Sequence, residues 1–472
     1  MGKRINAVTN DVLGTLDAVA IAEAIRTGQV SAAEVTEAAI IRAEKVNGEL
    51  NAIVYKTFDS ARSRASAKPS GLLGGVPTFI KDNEMVKGIP TQMGTGSFKS
   101  KPAPKNGKFV DQYLSTGLVS LGKSTMPEFG FICSTENPKW GITRNPWDTD
   151  YTTGGSSSGS AAMVASGVVP IALANDGAGS IRIPAACCGL VGLKPTRERL
   201  VNAEGVNLMP INIIYEGVLT RSVRDTAAFF AAAEQYYRNP KLPELGNVQS
   251  PNQKKLKVAF FENMAPGKLG HQDDDTYNAI LDTAKLLTSL GHQVDMLKLP
   301  FDIEGVADDF LNYYGMLSYA LLKFGTFILG EKPRYAELEN FTTGLAAQFS
   351  KNMFGIRRSM RRLKERGIEL ESFFGKYDLL MTPVLAHTVP KIGHFDVNLP
   401  YADISRRAVE FASFTGIQNI TGAPAISIPL HTDSKGLPLG IHFVAPHGQD
   451  KLLIELAYEL EIAKPWKFIY NS

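Results

Sequence analysis

Every residue from Gly154 to Ser160 is glycine or serine, and a second turn of small residues, Gly177-Ala178-Gly179-Ser180, follows the apolar run Val168–Ala174. No other feature restricts the fold of this chain as much. Glycines gather where backbone must approach a neighbour closely or take positive φ. The serines among them offer hydroxyls that can act as nucleophile or relay. Ordered, apolar sequence flanks both turns, so neither is a flexible linker. A fold for this chain must bury the strand Val168–Ala174 and present a tight, serine-bearing turn at its end.

The remaining segments supply the elements to build around that strand. Residues 17–26 have helical spacing and stop at Gly28, and Ser31 with Glu34 forms a capping box that opens a second helix to about Val46. Strands are predicted at Ile53–Tyr55, Val76–Ile80 and Leu118–Gly122, with a small helix over Thr57–Lys68. Glu128–Trp147 reads as a loop that could line a pocket, and Gly217–Glu234 as a loop and a helix. Lys257–Phe261, a helix over Asp275–Leu290 and a strand near Gln293–Leu297 make a βαβ-like unit. Residues 301–366 are mostly helical, with Arg357, Arg358, Arg361 and Arg362 as a solvated face. Tyr377–Leu385, Pro424–Leu430 and Gly440–Ala445 are strand-like, and Asp450–Ile462 is a closing amphipathic helix. Strands alternating with helices imply an α/β fold around a mostly parallel or mixed sheet.

Composition excludes several classes of function. The chain has 472 residues, 44% hydrophobic and 21% charged, with 50 basic residues against 47 acidic ones, which leaves no basic footprint for a nucleic acid. Its cysteines are Cys133, Cys187 and Cys188, with no CxxC pair, so neither a disulfide scaffold nor a zinc site is expected and a reducing compartment is the default. The first residues lack the apolar stretch of a signal peptide, Asn6 stands where a myristoylation site wants serine or threonine, and no apolar run has membrane-spanning length. The expectation is a soluble, cytoplasmic protein without metal or cofactor and without a membrane partner.

Three chemistries fit serine-rich turns. A phosphate cradle needs lysine after its glycines, yet Gly159-Ser160-Ala161 has none, and a dinucleotide fingerprint meets Arg182 where its third glycine belongs. A nucleophile elbow, G-x-S-x-G centred on Ser157, needs a preceding strand and a histidine. The residues before it are a turn, and His271, His292, His387, His394, His431, His442 and His447 sit in no motif that singles one out. The SxxK match Ser120–Lys123 lacks its companion motifs and is treated as chance. The third chemistry uses two serines and a lysine. Ser180 sits in a turn whose N–H groups can gather on an oxyanion. Ser156 can relay its proton to Lys81, which follows the apolar strand Val76–Ile80 and must be buried enough to be neutral.

The segments GVPTFIKDN (75–83), GGSSSGSAA (154–162) and DGAGSIRIPAACCGLVGLKPT (176–196) closely resemble the amidase signature family, and YDLLMTPV, TGAPAISIP and GLPLGIHFVAP extend the likeness along the chain. The resemblance implies a single amidase signature domain over 1–472, with a central mixed β-sheet flanked by helices on both sides. An N-terminal helical segment (1–70), a core carrying the motifs (74–220) and a helical pocket region (300–370) would make it up. It implies a Ser–cisSer–Lys triad of Ser180, Ser156 and Lys81, with a cis Gly155–Ser156 bond. The backbone N–H groups of Gly177, Ala178 and Gly179, with Ser180, would form the oxyanion hole. Ser157 would support the serines, and Asp176 and Arg182 would hold the turn. Two positions depart from the family pattern: Ser158 replaces a glycine, and Ala178 adds a methyl inside the turn.

The reaction so implied is hydrolysis of an amide through an acyl-enzyme, with carbamates, esters and cyclic amides sharing the geometry. Phe131, Ile132 and Cys133, with the helical region, are the expected pocket, and their apolar character favours aryl or alkyl amides. The family also contains the glutaminase subunit of a tRNA-dependent amidotransferase, which would require partner subunits. A binding protein on the same fold is the reading of another class. The partner expected is a small amide-type molecule, and self-association is left open.

Overall fold

In the computed structural model, which describes residues 2–261, 272–298 and 303–471, the strands are β1 (Ile53–Lys56), β2 (Pro77–Lys81), β3 (Val119–Ser124), β4 (Glu136–Asn137), β5 (Gly141–Ile142), β6 (Ile171–Asp176), β7 (Val191–Lys194), β8 (Tyr215–Thr220), β9 (Lys257–Phe261), β10 (Gln293–Leu297), β11 (Leu379–Pro383), β12 (Ala425–Thr432) and β13 (Pro438–Val444). Eight of them form one sheet in the order β10-β9-β11-β13-β12-β7-β8-β6. The βαβ-like unit is present: β9 and β10 pair in parallel, joined through the helix Asp274–Ser289, and β11 adds in parallel to β9. From β11 to β6 every neighbouring pair is antiparallel, so the sheet is mixed rather than mostly parallel. Helices flank it. A smaller sheet, β1-β3-β2, is tied to β6 where the Thr78 hydroxyl donates to the Ile171 carbonyl at 2.9 Å.

β2, β6, β7, β8, β11 and β13 are buried at every residue. Covered strands show no alternation of apolar and polar residues, which explains why sequence reading misses the buried strands β7 and β8. Tyr215–Thr220 carries Glu216 and Gly217 and reads as loop, yet it is fully buried and paired along its whole length with β6. The long segment Glu128–Trp147 is also not all loop, since β4 and β5 make a short hairpin within it.

Local signals hold well at the helix starts. Ser31 and Glu34 make both bonds of the capping box at the start of Ala32–Leu50, and Asp17 caps Ala18–Arg26. Residues 301 and 302 of the helical region lie outside the described residues, as does His271; from Ile303 the chain runs helical to Leu329, then through Asn340–Asn352 and Ile356–Phe373. Arg357, Arg358, Arg361 and Arg362 are exposed on the last of these helices.

Candidate active site

Lys81 closes β2, a strand with no solvent-facing residue, and its side chain is 0% exposed. A lysine at the end of an apolar strand usually reaches water; this one ends inside. Its Nζ lies 2.7 Å from Ser156 Oγ and 2.6 Å from Asn175 Oδ1. Burial pulls its pKa down to about 7, although the carboxyl groups of Glu216, Asp176 and Glu84 act in the other direction. Ser156 follows a cis peptide bond from Gly155.

The second turn is built by Asp176, the last residue of β6. Its carboxylate accepts from the N–H groups of Gly179 at 2.7 Å and Ile181 at 3.1 Å, and from Arg182 Nε and Nη2 at 2.9 Å each. Both side chains of this ion pair are 0% exposed. Burial resists ionisation of Asp176, but the Arg182 guanidinium beside it outweighs that and holds the carboxyl far below the usual range. Gly179 has φ +127, and a Cβ there would meet Thr415 Oγ1 at 2.3 Å, so the position admits only glycine. Its N–H is taken by Asp176. The N–H groups of Gly177, Ala178 and Ser180 have no partner among the described residues, so the open donors of the turn are these three, and Gly179 is not among them.

The two departures from the family pattern find their physical reasons here. Ser158 donates from Oγ to the Gly154 carbonyl at 2.6 Å and accepts from the Thr135 hydroxyl at 2.7 Å, so it braces the first turn. Ala178 is outside the left-handed region and tolerates its methyl without strain.

Ser180 opens into a cleft that also takes in Gly155 of the first turn. Its wall contains Gly155, Ala178 and the expected Phe131, Ile132 and Cys133, together with Phe310 and Tyr314 of the helix Ile303–Leu329. Among the described residues no lysine, arginine, histidine or carboxylate lines it. Burial raises the Cys133 thiol to about 12, so this cysteine is wall rather than nucleophile. Of the other aromatic residues in the helical region, Tyr313 is buried with its hydroxyl on the Ile211 carbonyl, while Phe327 and Phe354 point outward at 91% and 99% exposure.

The competing motifs come apart. Ser157 donates to the Asn175 carbonyl at 3.3 Å, and no histidine among the described residues bonds to it. Lys123 of the SxxK match pairs with Asp82 at 2.9 Å and also reaches the Thr91 hydroxyl, while Ser120 turns to the Gly122 carbonyl. Sequence reasoning misses Asn175, which holds the amine of Lys81, and Gln418, which bonds Arg182 at 3.1 Å. Asn175 was within reach of a pattern argument, because it stands one residue before Asp176 at the end of a buried strand. Gln418 was not, since it comes from a distant short helix, Ile417–Thr421.

The fold thus holds a buried, weakly basic amine beside one hydroxyl, and a second hydroxyl on a turn of open N–H groups. The amidase family model matches residues 34–454, and the chain belongs to the amidase signature family, hydrolases of carbon–nitrogen bonds other than peptide bonds. It is 45% identical to the "Putative amidase AmiC" of Mycobacterium leprae (strain TN), over 98% of both chains. It is 32% identical to a 6-aminohexanoate-cyclic-dimer hydrolase of Paenarthrobacter ureafaciens over 95% of both. The solved structure of a bacterial aryl acylamidase superposes with a TM-score of 0.85 at 26% identity, covering 96% of this chain and 97% of the other. Among the described residues no helix is long and apolar enough to cross a membrane.

Proposed function

We propose that this amidase cleaves uncharged amides through a covalent acyl-enzyme on Ser180. Ser180 Oγ attacks the carbonyl carbon. Its proton passes to Ser156 Oγ as the Ser156 proton passes to Lys81 Nζ. The oxyanion is met by the N–H groups of Gly177, Ala178 and Ser180. The carbon–nitrogen bond then breaks while the lysine proton returns through Ser156 to the leaving amine. Water attacks the resulting ester by the same relay, releasing the acid and restoring Ser180. The observation that carries this reading is the Lys81 amine, fully buried, 2.7 Å from Ser156 Oγ and brought to about pKa 7, where a lysine can serve as base at neutral pH.

The apolar character of the described lining residues supports aryl and alkyl amides as substrates. The named relatives add cyclic amides and aryl acylamides to the first set worth assaying. A glutaminase would need charged partners for the ammonium and carboxylate of glutamine, and none lines this cleft among the described residues. Assay of anilides, carbamates and esters with wild type and Ser180→Ala tests the proposal. Ser180→Ala should fold normally and lose at least roughly a thousandfold in kcat, and the wild-type protein should show an acyl adduct on Ser180 by intact mass. Near-normal turnover by Ser180→Ala refutes the assignment.

A further inference from the structure

The polar side chains in the cleft wall mostly spend their hydrogen bonds within the protein. Thr382 donates to the Pro383 carbonyl, with His442 Nδ1 at 2.9 Å, and Ser413 donates to the carbonyls of Val409 and Glu410. Gln418 differs. Its side chain is 1% exposed and lies in the wall of the cleft. Arg182 Nη1 reaches its Oε1 at 3.1 Å. A guanidinium can only donate, so the carbonyl oxygen must face Arg182 and the amide nitrogen must face away. Arg182 is itself fixed by Asp176, by the Thr415 carbonyl at 2.8 Å and by Asn419 Oδ1 at 2.7 Å. The carboxamide is therefore held in one orientation, and nothing among the described residues accepts from Nε2.

A donor held in one orientation in the cleft wall can bind an acceptor that enters the cleft at low ordering cost. We propose that Gln418 is a specificity-determining residue whose Nε2 donates to a second carbonyl of the substrate, separated from the scissile amide by an apolar spacer. The substrate class is then an uncharged diamide, such as an N-acylated amino-acid amide, linear or cyclic. The apolar wall takes the spacer, Ser180 takes one carbonyl and Gln418 the other. This rests on the hydrolysis proposed above, because only a substrate anchored at Ser180 brings its far carbonyl to a defined place.

The test uses paired 4-nitroanilides: straight-chain alkanoic acids, and chains of the same length interrupted by one amide, over a series of spacer lengths. Wild type should favour the amide-bearing member by roughly tenfold or more in kcat/KM at one spacer length, mainly through KM. Gln418→Glu keeps an oxygen for Arg182 and replaces the donor with an acceptor, whereas Gln418→Met keeps length and loses both. The preference should vanish in both variants. A wild type without preference at any length overturns the inference, and so does a preference that survives in both variants. Because a wild type without preference is enough by itself to overturn the inference, a variant that fails to fold does not rescue the idea. Absence of Ser180-dependent turnover of either anilide would instead overturn the hydrolysis itself.

Discussion

Replacing Asn175 with aspartate changes the charge beside the amine and little else. Asn175 Oδ1 stands 2.6 Å from Lys81 Nζ, and aspartate keeps that reach. With a pKa of about 7 rather than the ordinary 10.5, about half of the enzyme carries the free base at neutral pH, against roughly one part in three thousand for an unperturbed lysine. A carboxylate in contact with a cation raises its pKa by about 1–3 units. The base must be unprotonated to work, so activity is lost as pH falls through this pKa, and raising the pKa moves that loss to higher pH. Asn175→Asp should shift the acidic limb of kcat/KM from near pH 7 to between about pH 8 and 10, lowering the rate at pH 7 by roughly five- to five-hundredfold. Alkaline buffer should restore most of it. The assay is kcat/KM on a chromogenic anilide across the pH range at constant ionic strength. A variant that loses activity equally at every pH, with its limb where the wild type has it, would refute Lys81 as the base.

Two further substitutions probe the frame of the site. Asp176→Asn strands a guanidinium that is 0% exposed and weakens the brace on the Gly179 and Ile181 N–H groups, so it should cost about 3–5 kcal/mol in urea unfolding and a large part of kcat; a cost below about 1 kcal/mol would show that the pair does not hold the turn. Glu216 faces Asn175 across the sheet, both its carboxyl oxygens are buried without a partner, and burial raises its pKa well above 4.5. The folded protein thus keeps a proton that the unfolded chain releases, and stability falls as pH rises through that window. Glu216→Gln should therefore stabilise the protein by about 1–3 kcal/mol at pH 8, with the gain fading toward pH 4. A gain independent of pH, or a loss, would contradict this account.

Much of the fold follows from signals only a few residues long. The capping box at Ser31 and Glu34, the parallel unit β9–β10 and the two serine turns are all local patterns, and each is where the chain's own letters put it. Lys81, Ser156 and Ser180 stood out as candidates because the motifs around them are dense and unusual. β8 was not legible: in a strand covered on both sides, Glu216 and Gly217 obey no alternation, and only pairing with β6 reveals it.

What the sequence determined by itself is therefore the chemistry on offer, because hydroxyl, amine and glycine turn are properties of single residues and short spacings. What only the tertiary structure decided is the state of those groups. Whether Lys81 is solvated or buried depends on β6 lying beside it. Which N–H groups of the second turn are open depends on the Asp176 carboxylate claiming Gly179. The direction of the Gln418 amide depends on an arginine 236 residues away in the chain. Desolvation and hydrogen-bond direction are set by neighbours in space, and those neighbours come from parts of the chain that no local pattern connects.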